Sequence, residues 1–268
     1  MGVLNVTPDS FFDGGRYAST DAAIARGRAM FAEGADVVDV GGESSRPGAA
    51  PVDEDEELRR VVPVIEALAP LGAVSVDTVK AAVARAAVAA GAGLLNDVSG
   101  TLWATAAECG VGWVAMHRQG TATDMQVDPR YDDVVGEVYG HVLDLAARAT
   151  EAGVGEIWVD PGIGFGKTVE HNLALLAHLG GLVRGAEERG VRVLVGTSHK
   201  WFLGVIGSAT GVPLSPDDRA EGSLASGTWA MSQGAHMVRV HDVVSSVRAA
   251  RLVGGVDWRA GELEGVAR

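Results

Sequence analysis

Eight short apolar runs recur along the 268-residue chain, each followed by turn residues and then by a segment with helical spacing. No other feature restricts the fold as much. The runs are Gly2 to Val6, Asp36 to Val40, Ala73 to Val76, Gly93 to Asn96, Gly112 to Met116, Ile157 to Asp160, Val191 to Val195 and His236 to Val240. Their near-continuous hydrophobicity, as in Val191-Arg-Val-Leu-Val195, suits parallel strands covered by helices better than a half-exposed antiparallel sheet. Apolar residues at helical spacing predict helices over Ala22 to Glu33, Glu54 to Leu68, Val79 to Ala90, Val134 to Ala152, Glu170 to Arg189 and Arg219 to Gly234. Ser19-Thr20-Asp21 offers oxygens to cap the first helix, and Gly34 sits where a left-handed residue would stop it. Pro63 is expected to kink the second helix or to begin its regular part.

Such an alternation makes either an open doubly wound sheet or a closed barrel, and the placement of polar residues separates the two. A barrel collects its chemistry on the rim formed by the C-terminal ends of all its strands, whereas an open sheet concentrates it at one switch point. Asn5, Glu43 to Arg46, Asp77, Asn96, His117, Asp160, Ser198 to Lys200, Arg239 and His241 all fall at or just after strand ends. The expected fold is therefore α/β, a single (β/α)8 barrel over residues 1–268 with its active site at those ends. No sequence period beyond the strand and helix unit, no low-complexity tract and no linker divides it.

Composition removes several function classes. A net charge of −13 argues against a nucleic-acid or anionic-membrane partner, since both require a basic surface. An anionic ligand must then meet a few locally placed cations. The lone Cys109 excludes an internal disulfide framework and a cysteine-rich zinc site and suits a reducing cytosol. No apolar run reaches the roughly 18 residues of a membrane span. No basic segment precedes an apolar stretch at Met1, so no secretory signal is expected.

The loops carry the chemistry. Asn5-Val-Thr-Pro-Asp-Ser-Phe-Phe-Asp-Gly-Gly15 joins a rigid proline to hydroxyls, carboxylates and glycines, as a ligand-closing loop or an ordinary capped turn would. Gly41-Gly-Glu-Ser-Ser-Arg-Pro-Gly48 sets two hydroxyls and a guanidinium beside glycines, a composition suited to phosphate. Alternatively, Arg46 pairs with Glu43 in a surface turn. Asp160-Pro-Gly-Ile-Gly-Phe-Gly-Lys-Thr168 superficially resembles a nucleotide-binding loop, but Pro161 stands where that pattern requires glycine.

Asp77, Asn96 and Asp160 each end a strand, and capping is the common fate of one such residue taken alone. Three on one rim instead offer donors and acceptors to a flat polar heterocycle. Lys200 adds a cation, for an anion near Ser198 and the following helix or, alternatively, for a Schiff base. Arg239 and His241 alternate so as to face the same way, and with Arg46 they can clamp an anion. His236, His141 and His178 are expected to be satisfied core histidines. No HExxH or compact His/Cys/carboxylate spacing supports zinc.

In order, MGVLNVTPDSF, GGESSRPGA, SVDT, LLNDVSG, MHRQG, DPGIGFGKT, SHKWFLG and VRVHDV resemble the motifs of the dihydropteroate synthase family across nearly the whole chain. The resemblance implies a TIM barrel that condenses 6-hydroxymethyl-7,8-dihydropterin pyrophosphate with 4-aminobenzoate, releasing pyrophosphate with Mg2+ in folate synthesis. It also implies a cytoplasmic homodimer and a sulfonamide target. By the same resemblance Asp77, Asn96, Asp160 and Lys200 hold the pterin, with Met116 packed against it, and Asn5 ligates magnesium. Ser45, Arg46, Arg239 and His241 engage the pyrophosphate. Ser198 faces the aminobenzoate carboxylate while Phe165, Pro47 and Phe11 pack its ring. The chain departs from the family at His199, where arginine is common, and at Trp201. Two other uses of such a cradle are a pterin-dependent methyltransferase domain, which has no need of the anion clamp, and a non-catalytic pterin-binding paralogue.

Overall fold

The computed structural model describes residues 1–7, 15–44, 51–121 and 123–254. Among them are strands β1 (Gly2–Asn5), β2 (Val37–Gly41), β3 (Ala73–Asp77), β4 (Leu94–Asp97), β5 (Gly112–Met116), β6 (Ile157–Asp160), β7 (Arg192–Val195) and β8 (Met237–Val238). They lie side by side in chain order, every neighbour parallel. The two edges then meet: Gly2 bridges Val240 in parallel, the Val3 N–H donates to the Val240 carbonyl at 2.9 Å, and the Val240 N–H donates to the Met1 carbonyl at 2.9 Å. The sheet is a barrel, and the open doubly wound alternative is excluded.

The helices around it are α1 (Gly15–Ala32), α2 (Glu54–Leu68), α3 (Ala81–Ala89), α4 (Trp103–Cys109), α5 (Val134–Glu151), α6 (Val169–Ala177), α7 (Leu179–Glu187), α8 (Trp201–Ile206), α9 (Ala220–Ser232) and α10 (Val243–Gly254). Local chemistry accounts for several boundaries. Asp53 accepts the Glu56 N–H at 2.7 Å and opens α2, whose first turn carries Glu54, Asp55, Glu56 and Glu57 against the positive end of the helix dipole. Val61, Val64, Ile65 and Leu68 form its buried face. Gly34 stops α1 at φ 101°, with Gly34 N–H to Phe31 O and Ala35 N–H to Met30 O both at 3.0 Å.

Other boundaries differ from the sequence reading. Ser19-Thr20-Asp21 lies within α1 rather than capping it. Pro63 sits inside a continuous α2 and does not begin it. The single helix expected over Glu170 to Arg189 is two, parted at His178, whose ring meets the Ala174 carbonyl at 2.8 Å. Gly180 and Gly181 follow at once and favour a break. The sequence reading gave no bounds for α4, α8 or α10, and of the three it expected only a helix after Ser198. The first two are under three turns, and α10 begins with β-branched Val243 and Val244, weak helix formers held by burial of Val243 against the barrel. His141, His178 and His236 are exposed, so none is a core histidine.

Strand alternation divides the core. Outward-facing residues such as Val38, Val40, Val76, Leu95, Ala115 and Val159 join the helices in one large apolar layer. Inside the barrel, Met1, Val37, Leu94, Val114, Trp158 and Leu194 pack with Met237 as an apolar plug at the N-terminal end. Asp39, Ser75 and Asn96 lie above it, all buried. Asn96 and Asp97 show the alternation at a single step. Asp97 faces the helices, accepting from the N–H groups of Ser99, Thr101 and Leu102 and from Trp113 Nε1, while Asn96 faces the barrel axis.

Candidate active site

The C-terminal mouth of the barrel opens on a depression of about 400 Å³, counting space open to solvent. Asp77, Asn96, Met116, Asp160, Lys200 and Arg239 line it, from β3, β4, β5 and β6 and from the segments after β7 and β8. Phe165, Ser198 and His241 line it as well. Residues far apart in the chain thus share one cavity.

A charge network forms its floor. Arg239 Nε donates to Asp39 Oδ2 at 2.6 Å, a second guanidinium nitrogen donates to Asp77 Oδ2 at 2.8 Å, and Asn96 Nδ2 donates to Asp39 Oδ2 at 3.0 Å. Asp77 and Asn96 are therefore not helix caps; both are held by groups inside the barrel. Asp160 Oδ1 accepts the Gly162 N–H at 2.7 Å, a local turn bond, and its other oxygen lies beside Gly196. Lys200 Nζ sits 3.6 Å from the centroid of the Phe165 ring, a cation–π contact.

Desolvation dominates the titration of these groups. Burial raises Asp77 to about 7 against the pull of Arg239, with Asp39 and Glu57 adding to the rise. Burial also raises Asp160 to about 6, although the Gly162 N–H and Lys200 favour its charged form. Lys200 is lowered by burial to about 8, Arg239 acting the same way and Asp160 and Asp77 in opposition. Carboxyl groups poised near neutrality beside displaceable cations are prepared for a ligand that supplies hydrogen-bond donors.

At the other side of the mouth, Ser198 Oγ and His241 Nδ1 are 2.9 Å apart. The His199 ring stands edge-on to His241 at 4.8 Å. His199 adopts a left-handed φ of 57°, and its ring nitrogen meets the Pro216 carbonyl at 2.6 Å. The helix expected behind Ser198 is α8, which begins at Trp201.

Asn5 ends β1 half-buried, and its Oδ1 and the Oδ2 of Asp77 flank Gly41; a Cβ there would stand 3.8 Å from each. Phe11, Ser45, Arg46 and Pro47 lie outside the described residues. The alternative partner for Arg46, Glu43, is bonded to Lys80, which also holds the buried Glu57. Among the described residues no three His, Cys, Asp or Glu side chains converge as a metal site.

The sequence reading missed Asp39, the central acceptor of the floor. Its signal was a lone carboxylate in phase with Gly41 inside the apolar run Val37-Val-Asp-Val40. It also missed Lys167, a residue 1% exposed whose ammonium is held by His117, Gly162 and Phe165.

A closed parallel barrel with paired carboxylates and cations at its C-terminal mouth defines the chain as a TIM-barrel enzyme whose site is built for a polar ring. The family model described as "Pterin binding enzyme" matches residues 1–241. The chain is 47% identical to the dihydropteroate synthase of Mycobacterium leprae, covering 95% of this chain and 92% of that protein. With the Escherichia coli enzyme of the same name it shares 44% identity, over 94% of this chain and 89% of that one. Its fold superposes on Xanthomonas albilineans dihydropteroate synthase with 4-aminobenzoic acid at a TM-score of 0.86 and 45% identity, covering 96% and 92% of the two chains. For the same organism's enzyme in complex with 7,8-dihydropteroate the values are 0.82 and 42%, covering 96% and 93%. The chain belongs to the dihydropteroate synthase family, transferases of folate biosynthesis.

Proposed function

We propose that this barrel joins 6-hydroxymethyl-7,8-dihydropterin pyrophosphate to 4-aminobenzoate, forming 7,8-dihydropteroate and pyrophosphate. The observation that carries the reading is the convergence of Asp77, Asn96, Asp160 and Lys200 on one cavity. Anionic Asp160 and Asp77 accept from the amino and ring N–H groups of a pterin, and Asn96 supplies both a donor and an acceptor. Met116, 5% exposed on the cavity wall, offers a polarizable surface to the ring.

In the reaction the C–O bond to pyrophosphate breaks, and the bonding pair leaves with the diphosphate. The methylene carbon becomes a cation conjugated with the pterin ring. The carboxylates hydrogen-bonded to the ring stabilise its growing positive charge in the transition state. The neutral arylamine nitrogen attacks and afterwards releases one proton, so no strong base is needed. Arg239 and His241, with Ser45 and Arg46, hold the departing diphosphate. Ser198 holds the aminobenzoate carboxylate, and Phe165, Pro47 and Phe11 pack its ring.

A divalent ion fits this donor set. Mg2+ takes hard oxygen ligands and keeps several waters and substrate phosphates rather than occupying an all-protein cage. The single amide oxygen of Asn5 beside Gly41 suits that style of binding, and the magnesium ion would supply charge neutralisation at the diphosphate.

The exposed apolar residues Leu224 and Trp229 of α9, with Thr228 on the same helix and Val253 near the end of α10, line a second, more open groove, which supports a homodimer. Cys109 is free and suits a reducing compartment, which supports a cytoplasmic enzyme. No described helix is long and apolar enough to cross a membrane.

The test is pyrophosphate release by the purified protein with Mg2+, with and without 4-aminobenzoate. Release is expected only with both substrates and is expected to collapse in Asp160→Ala and Lys200→Ala. Release independent of 4-aminobenzoate, or undiminished in both variants, would overturn the reading.

A further inference from the structure

Lys167 is a nearly wholly buried lysine that the proposed reaction does not use. Its ammonium meets three acceptors at 3.0 Å: His117 Nδ1, the Gly162 carbonyl and the Phe165 carbonyl. Burial lowers Lys167 to about 7, with Asp160 in opposition and Lys200 acting with burial; as the ammonium it matches its three hydrogens to these three acceptors. His117 completes the match as a neutral ring. Burial and the adjacent Lys167 lower it to about 3, so the ring is neutral, and towards the ammonium its Nδ1 acts as the acceptor.

The acceptors belong to two loops, His117–Gln119 after β5 and Gly162–Gly166 after β6. Their backbones touch. A Cβ on Gly162 would stand 1.9 Å from the His117 carbonyl oxygen, and one on Gly166 would stand 2.4 Å from that of Gln119, with φ +63° and +65° at the two glycines. The Lys167 ammonium spans this contact, joining His117 of one loop to the Gly162 and Phe165 carbonyls of the other.

Both loops bear on the cavity. The Gly162 residue whose carbonyl binds Lys167 donates its N–H to Asp160 Oδ1, and the His117 N–H donates to the Asp160 carbonyl at 3.2 Å. The Phe165 residue whose carbonyl binds Lys167 carries the ring that meets Lys200. We infer that Lys167 is a positioning residue that ties the β5 and β6 loops together and so aims Asp160 at the pterin. The inference rests on the functional reading above and assigns Lys167 no contact with substrate. A nucleotide-type role for the Gly-Lys-Thr168 turn is excluded by the same geometry, since the lysine points into the protein.

The experiment measures binding of 6-hydroxymethylpterin by calorimetry to the wild type, Lys167→Met, Asp160→Asn and the double variant. Lys167→Met keeps the side-chain length and removes every donor. In the folded variant the Kd is expected to rise about tenfold or more, the scale on which a misaimed site loses function. In the Asp160→Asn background the same change is expected to alter Kd by less than about threefold, because coupled residues are not additive. Lys167→Gln keeps two hydrogens and is expected to recover most of the affinity; Lys167→Leu, which also removes every donor, carries the comparison if Lys167→Met does not fold. Wild-type affinity in a folded Lys167→Met or Lys167→Leu variant, or an equal loss with and without Asp160, would overturn the inference. Failure of the wild type to bind the pterin would instead overturn the functional reading, and this inference with it.

Discussion

Replacing Asp39 by asparagine tests whether the floor of the site is an electrostatic device or simple packing. Asp39 is fully buried, its Oδ2 accepts from both Arg239 and Asn96, and its Oδ1 has no hydrogen-bond partner. Asparagine has the same shape: its carbonyl oxygen can keep both bonds while its amide takes the place of Oδ1. The change therefore removes a charge and little else, and Arg239 is left with one carboxylate, Asp77, instead of two. Breaking a buried pair outright costs roughly 3–5 kcal/mol; with the hydrogen bonds kept, Asp77 remaining and the Asp39–Asp77 repulsion relieved, the expected cost is about 2 kcal/mol. For a chain of this size that corresponds to a melting temperature lower by about 4–8 °C, read by circular dichroism near pH 7.5.

A second readout has a fixed sign. The charge of Asp39 helps raise Asp77 to about 7, so its loss lowers Asp77, and the carboxylate persists to lower pH. The acid limb of pterin binding should move to lower pH in Asp39→Asn. An unchanged melting temperature together with a limb that stays put or moves up would refute the network argument.

Asp160 is raised to about 6 by burial, so pterin affinity should fall as pH drops from 7 to 5, as calorimetry across that range would show. Because its folded pKa lies above the unfolded value, Asp160 contributes stability below the unfolded pKa that is lost as pH rises through about 6; Asp160→Asn should then stabilise the ligand-free protein at pH 8 in urea denaturation while weakening pterin binding. Gly162→Ala forces a Cβ to within 1.9 Å of the His117 carbonyl at a left-handed φ and is expected to abolish pyrophosphate release. Gly110→Ala, at φ +69° with nothing within 4 Å, should cost about 1 kcal/mol of stability and leave turnover intact. Trp229→Glu places a charge on the half-exposed apolar face of α9 and should convert the proposed dimer to monomer in sedimentation; a wild-type monomer would refute the dimer, and an unchanged dimer in the variant would remove that face from the interface.

The chain's own pattern determined the strand and helix alternation, the parallel arrangement and which polar residues end up on the rim, because a strand period of two and a helix period of 3.6 are local properties that side chains reveal directly. Asp77, Asn96 and Asp160 were legible for that reason, each a polar residue at the end of an apolar run, and Lys200 lies in the polar segment that follows the run ending at Val195. The helix break at His178 and the weakly helical α10 were not, since packing outweighed propensity there. Only the tertiary structure decided who holds whom. Barrel closure brings Arg239 to Asp39 and Asp77, 200 and 162 residues away, and makes Asp39 the centre of the floor. It also makes Lys167, which follows a loop only superficially like a nucleotide-binding one, a buried tie between two loops. These pairings depend on strand register around a closed ring and on the cost of burying a charge without a partner, and neither is a property of any short stretch of sequence.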